Sequence, residues 1–196
     1  WLLAHGQSVF DGVSVVIEGL TRGLEGALLG LPPWLLTTAL ALLALWRVSW
    51  RFAIFVIVAF AVVVGMDLWP ATFSTLALVL SATICSLVFG LPLGVLGAKS
   101  EAAHRVLRPV LDFMQTMPAF VYLIPEAMFF GLGRVPGAIA TIIFAMPPAV
   151  RLTDLGIRQV PEELVEAGRA FGCSRGQLLF KVQIPNALPS ILAGVY

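Results

Sequence analysis

Few residues in this sequence are equipped for chemistry. The one that stands out is Glu126, the only charged residue between Asp112 and Arg134. An ionisable group at membrane depth is costly and marks a functional position by default. A carboxylate near aromatic rings suits a quaternary ammonium cation, attracted by charge and by the faces of Phe120, Tyr122, Phe129 and Phe130. The other reading is a carboxylate that meets water or headgroups near the outer end of a tilted helix. Pro118 and Pro125 interrupt helical structure around it, which a bilayer tolerates only where protein or a cavity covers the backbone. The segment therefore yields a candidate substrate pathway of Met114, Thr116, Pro118, Phe120, Tyr122, Pro125 and Glu126, with simple packing kinks as the competing account.

Other reactive groups point nowhere. His5 and His104 occupy polar ends far apart in sequence and read as solvated or interfacial residues, not as bases or ligands. Serines occur without a positioned base. Cys85 lies in an apolar run and Cys173 in a polar one, so neither a disulfide framework nor a four-ligand metal site is expected. The sequence has no Gly-x-x-x-x-Gly-Lys-Ser/Thr phosphate loop, so it does not read as an ATPase.

The elements that must position these groups follow from composition. Of 196 residues, 59% are hydrophobic and 12% charged, with a mean hydropathy of +0.97. That balance belongs in a bilayer. The net charge of +1 is spread in short basic clusters between apolar runs, so it reports membrane topology and argues against nucleic acid as a partner. The chain opens without the basic stretch, apolar core and cleavage site of a secretory signal, so insertion is expected to use internal spans.

Residues 1–31 form an amino-terminal segment with Val9, Phe10, Val13, Val16, Ile17, Leu20, Leu24, Ala27, Leu28 and Leu31 at helical spacing, and Asp11, Ser14, Glu18, Arg22 and Glu25 opposite. That suits an interfacial helix or an ordinary packed one. Within 32–69, apolar runs Leu31 to Trp46 and Phe52 to Met66 are short against the roughly 20 residues needed to cross. Trp34, Trp46, Trp50 and Trp69 at their ends favour two short transmembrane helices over a shallow hairpin. Ala71 to Ala98 is long enough to span. Its Gly90, Gly94 and Gly97 would let a neighbouring helix come close, and Pro92 is a possible kink.

The stretch from Lys99 to Arg108 reads as a basic cytoplasmic loop. Val110 to Leu132 reads as one span, Gly133 to Gly137 as a short connection, and Ala138 to Leu152 as the return. Counting back places Arg47 to Arg51 inside and Asp67 to Pro70 outside. Ala187 to Tyr196 begins another span, so carboxy-terminal helices are expected beyond it and the chain reads as a piece truncated at both ends.

The polar stretch 153–185 is expected to form two short helices. Pro161 suits a first helical turn, Glu162 and Glu163 stand at the positive end of the helix dipole, and Gly172 provides a left-handed close. Ser174 and Gln177 make a capping box for a second helix ending before Pro185. Leu164, Ala167, Ala170 and Phe171 share one side of the first helix, and Leu178, Phe180 and Val182 make the second too apolar for a free loop. Such surfaces need a partner, unless the loop folds onto its own membrane domain.

Here the run Glu166-Ala167-Gly168, then Gly172 and Val182-Gln183-Ile184-Pro185, resembles the EAA signature of ABC importer permeases, with Gly168 for an alanine and Ile184 for a leucine. Arg108 to Pro125, Val135-Pro-Gly137 and Thr141 to Pro148 resemble the permeases for glycine betaine, proline betaine and choline, which usually carry an aliphatic residue at the position of Glu126. The resemblance is strong over residues 70–196 and elsewhere limited to hydropathy. It implies an all-α, polytopic, type I ABC importer permease core over 70–196, with a cytoplasmic coupling loop at 153–185, in the bacterial inner membrane. By the same implication, Glu163, Glu166, Ala167, Gly168, Ala170, Phe171, Gly172, Ser174, Ile184 and Pro185 form the ATPase-coupling surface. It further implies a homodimer of permease subunits, two cytoplasmic ATPases carrying ATP and Mg, an extracytoplasmic binding protein, and no cofactor in this chain. A secondary transporter for a cationic solute and a non-transporting scaffold are the alternative functions.

Overall fold

The computed structural model describes residues 7–195, and every element among them is helical. His5, Trp1 and Tyr196 lie outside the described residues. The chain divides between Ser81 and Ala82 into two compact units.

In the first unit, α1 (Gln7–Leu29) precedes α2 (Pro33–Arg47) and α3 (Trp50–Gly65). Among the described apolar side chains on α1, only Ile17 is fully buried, whereas Val15 and Val16 are exposed. The inward line is Phe10, Ser14, Ile17, Thr21, Leu24 and Leu28. Ser14 and Thr21 enter it because each returns its hydroxyl to the carbonyl one turn back, at 2.9 and 2.8 Å. Between α1 and α2 the axis bends by 86° at Pro32 and Pro33, where the missing N–H groups prevent continuation. The hairpin of α2 and α3 closes on small residues, Ala41, Ala44 and Ala53, all buried. Ser49 starts α3 by accepting from the Phe52 N–H at 3.3 Å.

α4 (Trp69–Lys99) and α7 (Arg134–Arg158) are each long and apolar enough to cross a membrane. Over its 31 residues α4 extends roughly 46 Å, with Pro92 inside it. Its glycines do what their spacing foretold. A Cβ at Gly90 would meet Ala149 and Met146 at 3.4 Å, and one at Gly94 would lie 2.7 Å from the Val150 carbonyl oxygen and 2.6 Å from Thr153 Cβ. The backbones of α4 and α7 therefore touch.

Several expected boundaries are corrected. The stretch from Lys99 to Arg108 is mostly not a loop, because Ser100 caps α5 (Glu101–Thr116), accepting from Ala103 N–H at 3.3 Å. Nor is Val110 to Leu132 one span. Pro118 forces Met117 into extended backbone (φ −83°, ψ 133°), which ends α5, and a separate α6 runs from Ala119 to Phe130. Pro125, in contrast, lies inside α6 without ending it. The turn into α7 is only Gly131 to Gly133, with φ of 76° and 158° at the two glycines, so Arg134 already begins α7. At its other end α7 runs past Leu152 to Arg158. α5, α6 and the terminal helix all pack on α7, which is the hub of the second unit.

Replacing Gly94 with alanine is expected to destabilise the protein by about 1–3 kcal/mol, because backbone and not a flexible side chain blocks the added methyl. Gly137→Ala, where the space is open, should stay within about 0.5 kcal/mol of wild type. Thermal unfolding of the solubilised protein measures both.

Candidate functional site

The polar segment after α7 folds as an elbow. Pro161 caps α8 (Glu162–Ala170) one position earlier than expected, with φ −52° and ψ 135°. Glu162 and Glu163 occupy the first turn and Arg169 the last, each sign matched to the helix dipole. The helix closes in a Schellman arrangement. Cys173 N–H donates to Gly168 O at 3.0 Å, and Gly172 N–H to Arg169 O at 2.9 Å. Gly172 takes φ +77° to allow it. Immediately afterwards Ser174 and Gln177 form the reciprocal capping box, with Ser174 N–H on Gln177 Oε1 at 2.8 Å and Gln177 N–H on Ser174 Oγ at 3.4 Å.

The second limb does not stop before Pro185. A single turn of α-helix, α9 (Arg175–Gln177), leads into a π-helical turn over Leu178–Gln183 and then α10 (Ile184–Ala193). The physical reason is Pro185 itself, which cannot donate to the carbonyl of Lys181. The ladder widens around that gap, so Ile184 N–H donates to Leu179 O, five residues back. Asn186 Nδ2 donates to the Val182 carbonyl at 2.7 Å.

Burial separates structural from available positions in the elbow. Gly168 is buried, because a Cβ there would sit 2.7 Å from Leu178 Cδ1 and 3.4 Å from Val182 Cγ2. Leu178 and Val182 are thus turned toward the first limb and not to a partner. Ile184 is half-buried and packs against a core of Ile157, Leu179, Ala187 and Ile191, joined by Leu91, Val95, Ala98 and Val160. Glu163, Glu166, Ala167, Ala170, Phe171, Gly172, Ser174 and Pro185 are exposed. Phe171 (89% exposed) and Phe180 (69%) give this surface two bare aromatic rings.

At the root of the elbow lies an ionic knot that sequence reading missed. Arg158 donates from Nε to Asp154 Oδ1 at 2.7 Å, from Nη2 to the Gly97 carbonyl at 2.7 Å, and from Nη1 to Glu101. His104, expected to be a solvated or interfacial residue, is half-buried with Nδ1 2.5 Å from Asp154 Oδ2. One arginine therefore ties the ends of α4, α5 and α7 together. The hydrogen bond and charge of Arg158 hold the Glu101 carboxyl below its ordinary range. The spacing of Asp154 and Arg158, four apart on a helix, was the available signal.

The pathway residues divide. Glu126 is buried, Met114 and Tyr122 are half-buried, and Thr116, Pro118, Phe120 and Pro125 are exposed. Phe120, with Ile124 and Met128, lines the bare side of α6, away from Glu126, so the structure does not bring that ring to the carboxylate.

This geometry has counterparts. Residues 90–196 match the model of the family described as binding-protein-dependent transport system inner membrane component. The chain belongs to that family. Among curated relatives, the glycine betaine/proline betaine transport system permease protein ProW of Escherichia coli (strain K12) is 47% identical over the whole chain, which spans 55% of that protein. The glycine betaine transport system permease protein OpuAB of Bacillus subtilis (strain 168) is 44% identical, again over the whole chain and 69% of the relative. Inward-facing structures of the MetNI methionine ABC transporter align with a TM-score of 0.54 at 24% identity, covering 62% of each chain. That likeness shows the fold. It is the all-α core of an ABC importer permease.

Two outcomes are expected for this family member. The depressed Glu101 stabilises the folded state at neutral pH, and the gain disappears as pH falls through its lowered titration range. Glu101→Gln should therefore melt below wild type at pH 7, with the gap closing under about pH 4. Ser174→Ala should weaken the second limb by about 1 kcal/mol, read as faster hydrogen exchange at Gln177 and Leu178.

Proposed function

We propose that this chain is the membrane-spanning permease subunit of an ATP-driven importer for osmolytes of the quaternary ammonium and betaine class: glycine betaine, proline betaine, choline or proline. It acts in the bacterial cytoplasmic membrane as a multi-pass homodimer, with two cytoplasmic ATPases and an extracytoplasmic binding protein. ATP and Mg are held by the ATPases, and this chain carries out no hydrolysis.

The observation that carries the reading is the elbow from Glu162 to Ala193. A displacement at its exposed surface enters the membrane only if nothing between them yields. The first limb is closed by a Schellman turn and the second is opened by a capping box, so the joint has few soft torsions. The second limb then continues as helix into α10, whose Ala187 and Ile191 pack with Ile157 of α7 and Leu91 and Val95 of α4. Push on Phe171 or Glu166, and the spans must move as rigid bodies, which is what alternating access requires. The printed names of the relatives, permeases for glycine betaine and proline betaine, support the substrate class.

Vesicles holding the full-length protein should take up glycine betaine only with ATP, the ATPase and a binding protein all present. Uptake without the ATPase would overturn the proposal in favour of an ion-gradient carrier. Gly172→Val tests the joint, because a β-branched residue resists the positive φ there although its Cβ would meet nothing within 4 Å. The strain costs about 1–2 kcal/mol, so uptake per ATP should fall roughly five- to thirtyfold while ATP hydrolysis persists. Gly172→Asn should stay near wild type, since Asn tolerates that conformation.

A further inference from the structure

Glu126 is the least explained group in the molecule. It is 6% exposed, and neither carboxylate oxygen has a hydrogen-bond partner. An ionised carboxylate in that state is disfavoured by several kcal/mol unless a counter-charge joins it. Purely structural duty does not account for it, because an aliphatic side chain would pack the same position without that cost.

Its neighbourhood is suited to one kind of counter-charge. Tyr122, Glu126, Phe129 and Phe130 follow one another at intervals of four, three and one residues, and all are buried or half-buried on the side of α6 opposite Phe120, Ile124 and Met128. One carboxylate and three aromatic residues on a single helix face are the groups that receive an alkylated ammonium ion, which has no N–H to donate and binds by charge and ring faces. The helix also has the means to uncover them. α6 is only 12 residues long, and the extended Met117–Pro118 link precedes it. It is followed by Gly131 and Gly133 at positive φ. Its first turn is held to α5 through Tyr122 Oη, which donates to the Met114 carbonyl at 3.0 Å and the Phe113 carbonyl at 3.3 Å. Those carbonyls belong to the negative end of α5, which adds to the pull on a cation.

We propose that Glu126, with Tyr122, Phe129 and Phe130, forms a transient intramembrane site for a quaternary ammonium cation, covered here by α6 lying on α7. The inference rests on the import function above and sharpens it: the site favours cations such as choline over zwitterionic betaines, whose own carboxylate Glu126 repels.

The test is direct binding of tetramethylammonium to the full-length permease–ATPase complex without its binding protein, measured by calorimetry at constant ionic strength. Wild type should bind it, and Glu126→Gln should weaken binding by at least about tenfold. Glu126→Leu provides a second variant that removes the charge in a well-packed form, and should lose binding equally while melting no lower than wild type. Glycine betaine should gain affinity in both variants relative to tetramethylammonium. No binding to wild type, or equal binding in all three proteins, overturns the site. Because the readout is binding and not ATP-driven uptake, that result leaves the importer assignment standing, whereas loss of ATP-dependent uptake in wild type would remove the assignment itself.

Discussion

The contact between α4 and α7 sets the terms for the rest of the second unit. Gly94 has no side chain, so the Val150 carbonyl and Thr153 come within 3 Å of where one would be. In a bilayer, where lipid is as apolar as leucine, such close approach is what holds helices together. The same logic is used twice more on α7. Gly156 admits Ala187 and Ser190 of α10, and Gly194 of the terminal turn fits against Leu152 and Pro148. α7 is therefore gripped from two sides by backbone-to-backbone contacts that have little slack.

That grip explains why the ionic knot sits where it does. At this end of α7 the charged side chains of Asp154 and Arg158 flank the glycine contact at Gly156 and the buried Ile157. Arg158 adds to that packing, its fork of nitrogens donating to acceptors on three helices, a geometry a lysine could not reproduce. Four residues later, at Glu162, the elbow begins. Packing and charge meet where the elbow joins α7.

Much of the elbow was legible in sequence because its determinants are local. Gly172, Ser174 with Gln177, and the Glu162–Glu163 pair act within four residues of themselves, and each does in the structure what its type and spacing require. The glycine stripe of α4 was legible for the same reason. What escaped reading depends on distant partners or on a small energetic choice. Nothing near His104 announces Asp154, fifty residues away. Pro118 and Pro125 look alike in sequence, yet one ends a helix and the other lies within it. Apolar periodicity carried Val110 to Leu132 through a break that one proline imposes. The orphaned state of Glu126 was only half visible: its cost could be inferred, but not that Phe120 would turn away from it.

Pro185 reads as a terminator, and the chain instead answers it with one widened turn. An α-helix advances about 100° per residue, so accommodating an additional residue in the turn shifts the phase of everything beyond it. Within the widened turn Phe180 looks outward; downstream, Ala187 and Ile191 look into the core. The second limb is thus a shaft with a fixed angular offset between its two ends, like a crank cut from a single bar. Any rotation about its axis at the exposed end arrives at the buried end already re-aimed at α7, with no separate joint needed to change its direction.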